Sequence, residues 1–502
     1  ISIHEAALVD YASMTLARRA GNVLKADLVP WSDGVKVRAS APMVTPWRTV
    51  QVADNAGELL TSNLILNLNE PNRLEDTSWI KPGKYVGIWW EMHLGKSTWG
   101  SGSSHGATTE NAMRYIDFAA DYGFDGVLVE GWNIGWDGDW INGGDGFRFT
   151  QPYDDFDLEA VATYALQKGT RLIGHHETAG SISNYEAQME DAFTLYSRLG
   201  VRAVKTGYVG FGRQIKRYDN DGSVQYETHH GQHMVNHYAR VVETAARHRI
   251  MINAHEPIKP TGLQRTYPNL MTQEGARGQE YNSPEGGGNP PEHTVILPFT
   301  RLLAGPMDFT PGVFQLVPAE DEPENNVPTT LAKQLALYLV IYSPLHMAAD
   351  LPHNYLEQPE AFEFVRTVPT NWHETKVLHA EVGDYLTVAR KDWDSEDWYL
   401  GSVTDEEGRM LRANLSFLAP HVLYVATVYR DAADAHWQEN PLGFARSEVV
   451  VDRSTTATLR LAPGGGVAIR FRPVPDGAGV IEGLPRCDGP RVCDPDFGSP
   501  ID

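Results

Sequence analysis

At 502 residues, with 42% hydrophobic and 21% charged side chains, the chain has room for two or three globular domains and is too apolar to be disordered. Its net charge of −23 repels phosphate backbones and argues against nucleic acid as a partner. No apolar run approaches the ~18 residues of a membrane span, so membrane insertion is not expected.

The chain opens at Ile1, without Met, inside the strand-like run ISIHEAALVDY, which reads as a mature or truncated product. Residues 1–80 alternate apolar and polar positions, as in VKVRAS and NLILNLNE, and read as β-rich. Residues 81–380 alternate short apolar runs with amphipathic stretches. The runs are YVGIWW (85–90), GVLVEGW (126–132), RLIGHH (171–176), RAVKTGYV (202–209) and IMINAHE (250–256), with fainter ones at 270–274, 306–310 and 341–348. Helical patterns lie between them at 111–123, 158–169, 185–200 and 233–248. Eight such units predict a closed (β/α)8 barrel. Residues 381–475 return to strands without helices and predict an antiparallel β-sandwich; 476–502 reads as an irregular tail. Its two cysteines, Cys487 and Cys493, either close a small disulfide loop or remain two thiols.

In a barrel, residues at the C-terminal ends of strands converge on one mouth. Those positions hold Trp90 and Glu91, Glu130 and Trp132, His175, His176 and Glu177, Lys205, then His255 and Glu256, with Glu274 and Glu280 following. A single glutamate after a strand is most simply solvated. A series of them has no packing explanation, because buried charges need partners. Glu159 and Glu186 fall on helical stretches and read as exposed faces, and His175 and His176 also read as core histidines.

Paired carboxylates suit glycoside hydrolysis, which needs one protonated acid and one ionised base. Zinc proteolysis is disfavoured: His4-Glu5, His176-Glu177, His255-Glu256 and His373-Glu374 all lack the second histidine of a helical HExxH site. The surplus of carboxylates over histidines suits Ca²⁺ better. No G-x-S-x-G elbow and no phosphate-binding P-loop occurs.

The segments IHEAALVDY (3–11), VEGWNIGWDGDW (129–140), HHETAGSISNYE (175–186), VKTGYV (204–209), NAHEPIKPTGLQRTYPNL (253–270), EGARGQEYN (274–282) and LPFTRLLAGPMDFTPG (297–312) resemble glycoside hydrolase family 97. The resemblance implies an N-terminal β-supersandwich, represented here by only its last part (1–80), a catalytic (β/α)8 barrel (81–380) and a C-terminal β-sandwich (381–475). The missing N-terminal portion is then either removed or a separate chain.

The family divides in mechanism. In the inverting branch the general acid matches Glu280, the general bases match Glu177 and Glu256, and the ligands of one Ca²⁺ match Glu5, Glu256 and Glu274. Sugar-binding positions match Glu130, His175, Lys205 and His255; Trp90, Trp132 and Trp136 are candidates for stacking, with core packing an equal reading for Trp90. The retaining branch carries a nucleophilic aspartate about where this sequence has Thr206-Gly207. The resemblance therefore implies an inverting, calcium-dependent exo-α-glucosidase acting on maltooligosaccharides, in the periplasm or secreted. The alternatives are an α-galactosidase of the same family and a non-catalytic, calcium-dependent glycan-binding protein.

Overall fold

Period-two apolar runs bounded by turn residues set the strands, and amphipathic stretches ended by glycine or a capped turn set the helices. The computed structural model describes residues 1–210, 214–318, 325–475, 483–494 and 500–501. These form two compact units. The first comprises Ile1–Val52, Asn63–Ala276 and Ala304–Asp308; the second comprises Ala53–Ser62, Arg277–Leu303 and the chain from Phe309 onward.

The first unit begins with four short strands, β1 (Ser2–Ala6), β2 (Met14–Arg18), β3 (Leu24–Leu28) and β4 (Trp47–Gln51). They pair antiparallel as β1 with β4 and β2 with β3. Two expectations fail in this region. VKVRAS is irregular, and NLILNLNE contains a helical turn, Leu64–Asn67. The turn places Ile65 and Leu68 on one side, against Ala6 and Ala304. Asn69 then secures it by donating to the carbonyls of Ile65 and Thr261, both at 2.8 Å. Tertiary burial overrides the alternating pattern here.

Six parallel strands follow: β5 (Gly83–Ile88), β6 (Gly126–Val129), β7 (Arg171–Glu177), β8 (Ala203–Gly207), then, after the hairpin β9 (Ile215–Tyr218) and β10 (Val224–Glu227), β11 (Met251–Ala254) and β12 (Leu270–Gln273). Their order is β12-β11-β8-β7-β6-β5. Each pair is parallel, for example His175 beside Lys205 and Glu177 beside Gly207. Helices Thr109–Tyr122, Leu158–Gln167, Ile182–Arg198 and Gln232–Arg247 lie between strands in the sequence. Thr108 caps the first through its side chain, and Gly123, at φ +78°, ends it in the left-handed conformation that favours glycine. The fold is a (β/α)8-type barrel with N-terminal strands and an antiparallel C-terminal sandwich. The run at 306–310 forms only an isolated parallel bridge, Met307 beside Gln273. The left-handed Thr310 (φ +59°) followed by a proline stops a strand from extending.

The second unit contains β13 (Leu345–Met347) and the sandwich strands β14 (Trp372–Glu381), β15 (Tyr385–Asp392), β16 (Trp398–Thr404), β17 (Arg409–Asn414), β18 (Tyr424–Asp431), β19 (Phe444–Val451), β20 (Thr456–Leu461) and β21 (Gly466–Pro473). One sheet runs β14-β15-β16-β21-β18-β19, and a second pairs β17 with β20. Trp398, Leu400, Val428, Leu459 and Ile469 are among the buried residues packed together. Helix Leu331–Val340 covers the outer face of β16. A Cβ at Gly401 would lie 2.7 Å from Leu339 Cβ, so only glycine admits the helix this closely. The sheet starts at Trp372, nine residues before the sequence expectation, because the charges of WHETKVLHAE mask its alternation.

The tail is not uniformly irregular. Val492–Cys493 pairs in parallel with β20, and Cys487 and Cys493 are bonded to each other inside the sandwich core.

Candidate active site

The alternation of β7 sorts its last three residues. His175 and Glu177 face one way and His176 the other. His176 is core: its Nδ1 meets Tyr185 Oη at 3.0 Å, its ring stacks on Tyr196, and burial pushes its pKa down to about 3.

His175 belongs to a charged cluster with Glu130, just past β6, and Lys205 on β8. Lys205 Nζ donates to Glu130 Oε1 at 2.8 Å, and His175 Nε2 lies 3.4 Å from the same oxygen. All three are buried. Burial pushes the Glu130 carboxyl up, but Lys205 and His175, the latter cationic in the acid range where Glu130 would titrate, outweigh it and hold Glu130 well below the usual carboxylate range. Burial lowers His175 to about 4, so its ring is neutral at pH 7.

Aromatic residues wall this cluster. Trp99 Nε1 donates to Glu130 Oε2 at 2.9 Å, Trp136 stacks on His175 with centroids 5.6 Å apart, and Lys205 Nζ sits 5.4 Å from the centre of the Trp89 ring. Trp132 departs from its expected stacking role. It is buried against Phe156 and Tyr196, and its Nε1 donates to the His175 carbonyl at 3.1 Å. Gly131, at φ +76° and packed against the Trp99 backbone, turns the chain so that Glu130 and Trp132 take different environments. Trp90 is likewise core, and Glu91 accepts from Ser97, Asn111 and Tyr115 and is fully engaged as a structural acceptor.

Glu177, at the end of β7, accepts backbone N–H groups from Thr178 (3.0 Å), Ala179 (2.6 Å) and Val209 (3.1 Å) at Oε1. Burial pushes its carboxyl up, more strongly than these donors pull it down, and the Glu130 charge adds to the rise. Across the strand pair, a Cβ at Gly207 would lie 1.9 Å from Glu177 Oε2. No other residue fits at 207 while Glu177 keeps this position.

Past β11, Glu256 adopts the left-handed φ of +43°, and its Oε2 accepts from Tyr208 N at 2.7 Å. Glu274, after β12, places Oε2 3.3 Å from Glu256 N and 3.6 Å from His255 Nδ1. Asp308, which lies within LPFTRLLAGPMDFTPG but is not among the site residues expected from the sequence, is the hub beneath them. Its Oδ2 accepts from Tyr85 Oη (3.3 Å) and Asn253 Nδ2 (2.5 Å) and meets His255 Nε2 at 2.8 Å. Burial raises the Asp308 carboxyl, but His255 and Lys205 bring it below the ordinary value.

Glu5 is fully buried. Its Oε1 accepts from Ser13 Oγ (3.0 Å) and Met14 N (3.1 Å), and the carboxylate pairs with Lys259 (3.0 Å) and Arg48 (2.9 Å). Oxygen donors suit a hard divalent cation, and Glu256 and Glu274 offer such donors from the ends of adjacent strands. Glu5 as placed is already compensated by two protein cations. Glu280 lies in the second unit, half-buried in the 3-10 turn Gln279–Asn282.

Carboxylates gathered at the strand ends of a parallel barrel, with indoles beside them, mark a barrel of the carbohydrate-processing class. Three sequence models match: Glycoside hydrolase 97 over residues 89–276, Glycosyl-hydrolase 97 N-terminal over 1–71, and Glycosyl-hydrolase 97 C-terminal, oligomerisation, over 371–472. A family 97 enzyme from Pseudoalteromonas sp. strain K8, solved in complex with acarbose, is 55% identical with a TM-score of 0.92; the match covers 94% of this chain and 72% of that one. The same enzyme is also known as a glutamate-to-glutamine variant in complex with panose. A retaining alpha-galactosidase from Bacteroides thetaiotaomicron is 30% identical over 449 residues, 87% of this chain and 61% of that protein. A probable retaining alpha-galactosidase from Streptomyces bingchenggensis is 26% identical, over 87% of this chain and 60% of its own length. The chain thus spans about three-fifths of the length of these curated relatives. It belongs to glycoside hydrolase family 97.

Proposed function

We propose that the protein is an exo-acting, inverting α-glucosidase that hydrolyses terminal α-glucosidic bonds of maltooligosaccharides and depends on one Ca²⁺. The observation that carries this reading is Gly207. The space a side chain would need there is filled by the Glu177 carboxylate, 1.9 Å from the position of a Cβ. A nucleophilic aspartate at this point of β8 and Glu177 in its present place exclude each other. A carboxylate with a raised pKa is suited instead to take a proton from water near neutral pH.

In this reading Glu130, Lys205, His175 and His255 bind the hydroxyls of the terminal sugar. The Glu130–Lys205 pair offers a fixed acceptor and donor at the bottom of the charged cluster. Glu280 gives its proton to the leaving oxygen, while Glu177 and Glu256 orient a water and take its proton. The two sides of an inverting pair stand about 6.5–9.5 Å apart to admit that water. Ca²⁺, held by Glu256 and Glu274, would supply a fixed positive charge that anchors the loops after β11 and β12. A ligand role for Glu5 requires its Lys259 contact to be exchanged for the ion.

The acarbose and panose complexes of the Pseudoalteromonas enzyme support an α-glucoside substrate. The α-galactosidase names of the curated relatives favour a second reading in which the sugar is a galactoside. Paired aryl α-glucoside and α-galactoside assays separate the two: the first reading expects turnover of the glucoside alone, and preference for the galactoside overturns it. Ligand binding without product release would instead favour the glycan-binding alternative. The Cys487–Cys493 disulfide supports a periplasmic or secreted location, and cell fractionation tests it. Among the described residues no helix is long and apolar enough to cross a membrane.

A further inference from the structure

The turn that leaves β8 touches both candidate bases through neighbouring amides. Tyr208 N donates to Glu256 Oε2 at 2.7 Å, and Val209 N donates to Glu177 Oε1 at 3.1 Å. The two amides belong to adjacent peptide units joined at the Tyr208 Cα. Each unit is planar and stiff, so wherever the Tyr208 backbone torsions are fixed, the placement of the two donors, and of the carboxylates they hold, is fixed as well.

The turn is held from behind by consecutive residues of helix Gln232–Arg247. His237 Nδ1 faces the Glu186 carboxylate at 2.7 Å, which assigns the proton to Nδ1 and leaves Nε2 to accept from Tyr208 Oη at 3.1 Å. Arg240 also donates to Glu186, at 2.6 Å, so the histidine's anchor is itself anchored. Glu186, expected as a solvated helix face, is this anchor. Tyr238, the next residue, donates its hydroxyl to the Glu256 carbonyl at 3.0 Å. That carbonyl belongs to a residue at φ +43°, a conformation that persists only where its surroundings enforce it. His229 Nε2 lies 2.7 Å from the Tyr208 carbonyl and completes the enclosure. His237 and Tyr208 are fully buried and Tyr238 nearly so.

We propose that Tyr208, His237 and Tyr238 are positioning residues that set the separation of Glu177 and Glu256, and with it the place of the attacking water. The proposal rests on the reading of those two glutamates as the bases. None of the three touches the sugar in this account; each acts through the turn or through the Glu256 backbone. Two are tyrosines whose side chains act through the hydroxyl, so phenylalanine removes that contact and keeps the packing and the backbone bonds.

The experiment is steady-state kinetics on maltotriose with Tyr208→Phe, Tyr238→Phe, His237→Ala and His237→Gln, with the first-formed anomer followed by proton NMR in the same samples. Displacement of a reacting group by a fraction of an ångström costs about 10-fold or more in rate. Each phenylalanine variant should lose about 10-fold in kcat and keep KM within about twofold of the parent. His237→Gln, whose amide oxygen still accepts from Tyr208, should recover most of the kcat that His237→Ala loses. Parent-like kcat in both phenylalanine variants overturns the brace, as does equal failure of His237→Gln and His237→Ala. An α anomer from the parent enzyme instead refutes the two-base reading itself, so the two failures are told apart.

Discussion

Both units bury ionisable side chains, but they treat them differently. In the second unit, Asp431 and Lys333 are buried singly and face the backbone. Asp431 accepts from Ala462 N (3.0 Å) and Gly466 N (2.9 Å), and Lys333 donates to the carbonyls of Thr404 (2.7 Å) and Pro291 (2.9 Å). Burial moves both toward neutrality, Asp431 up to about 6 and Lys333 down to about 7. At the strand ends of the barrel, ionisable side chains face one another. Glu130 meets Lys205 and His175, and Asp308 meets His255. Glu130 and Asp308 are held ionised despite burial. A lone buried charge satisfied by peptide groups closes a fold. A set of buried charges kept ionised by one another costs desolvation and earns retention through what it binds.

That contrast can be broken experimentally. The largest effect should come from Glu280→Gln, which lowers kcat on maltooligosaccharides by about 10²–10⁴-fold; parent-like turnover would remove Glu280 as the acid. Next, Lys205→Met strands the Glu130 carboxylate in a buried site and should cost about 3–5 kcal/mol in denaturant unfolding as well as activity. A loss below about 1 kcal/mol would mean that the cluster is solvated and the comparison false.

Glu274→Ala should weaken Ca²⁺ binding by calorimetry, and chelation should abolish activity that added Ca²⁺ restores. Indifference to a strong chelator would count against the ion. The smallest effect belongs to the sandwich. The folded chain holds the Asp431 proton up to about pH 6, whereas the unfolded chain releases it near pH ~4. The folded state therefore binds more protons in that window, and stability falls as pH rises through it. Asp431→Asn should flatten this decline and leave kcat within about twofold of the parent.

The sequence made the barrel legible where strands end in charge. The alternation of β7 places His175 and Glu177 together, and Lys205 lies directly across from His175. It did not single out Asp308, whose stretch carries only a faint strand signal and forms only one bridge. Trp99 was hidden in GKSTWGSGSSHG, a stretch composed like a linker, although its indole reaches Glu130. Trp132 misled through adjacency, because the positive φ of Gly131 is not written in the spacing. Glu186 misled because one amphipathic helix cannot reveal which neighbour covers its polar face. NLILNLNE failed because four residues are too few for periodicity to separate a helical turn from a strand.

Everything proposed for the site depends on Glu177 occupying the space beside Gly207 as a base, with no nucleophile on β8. The most direct test is proton NMR of the anomer first released from maltotriose, recorded before mutarotation. A β-configured sugar appearing first is the predicted result. An α-configured sugar appearing first would contradict it.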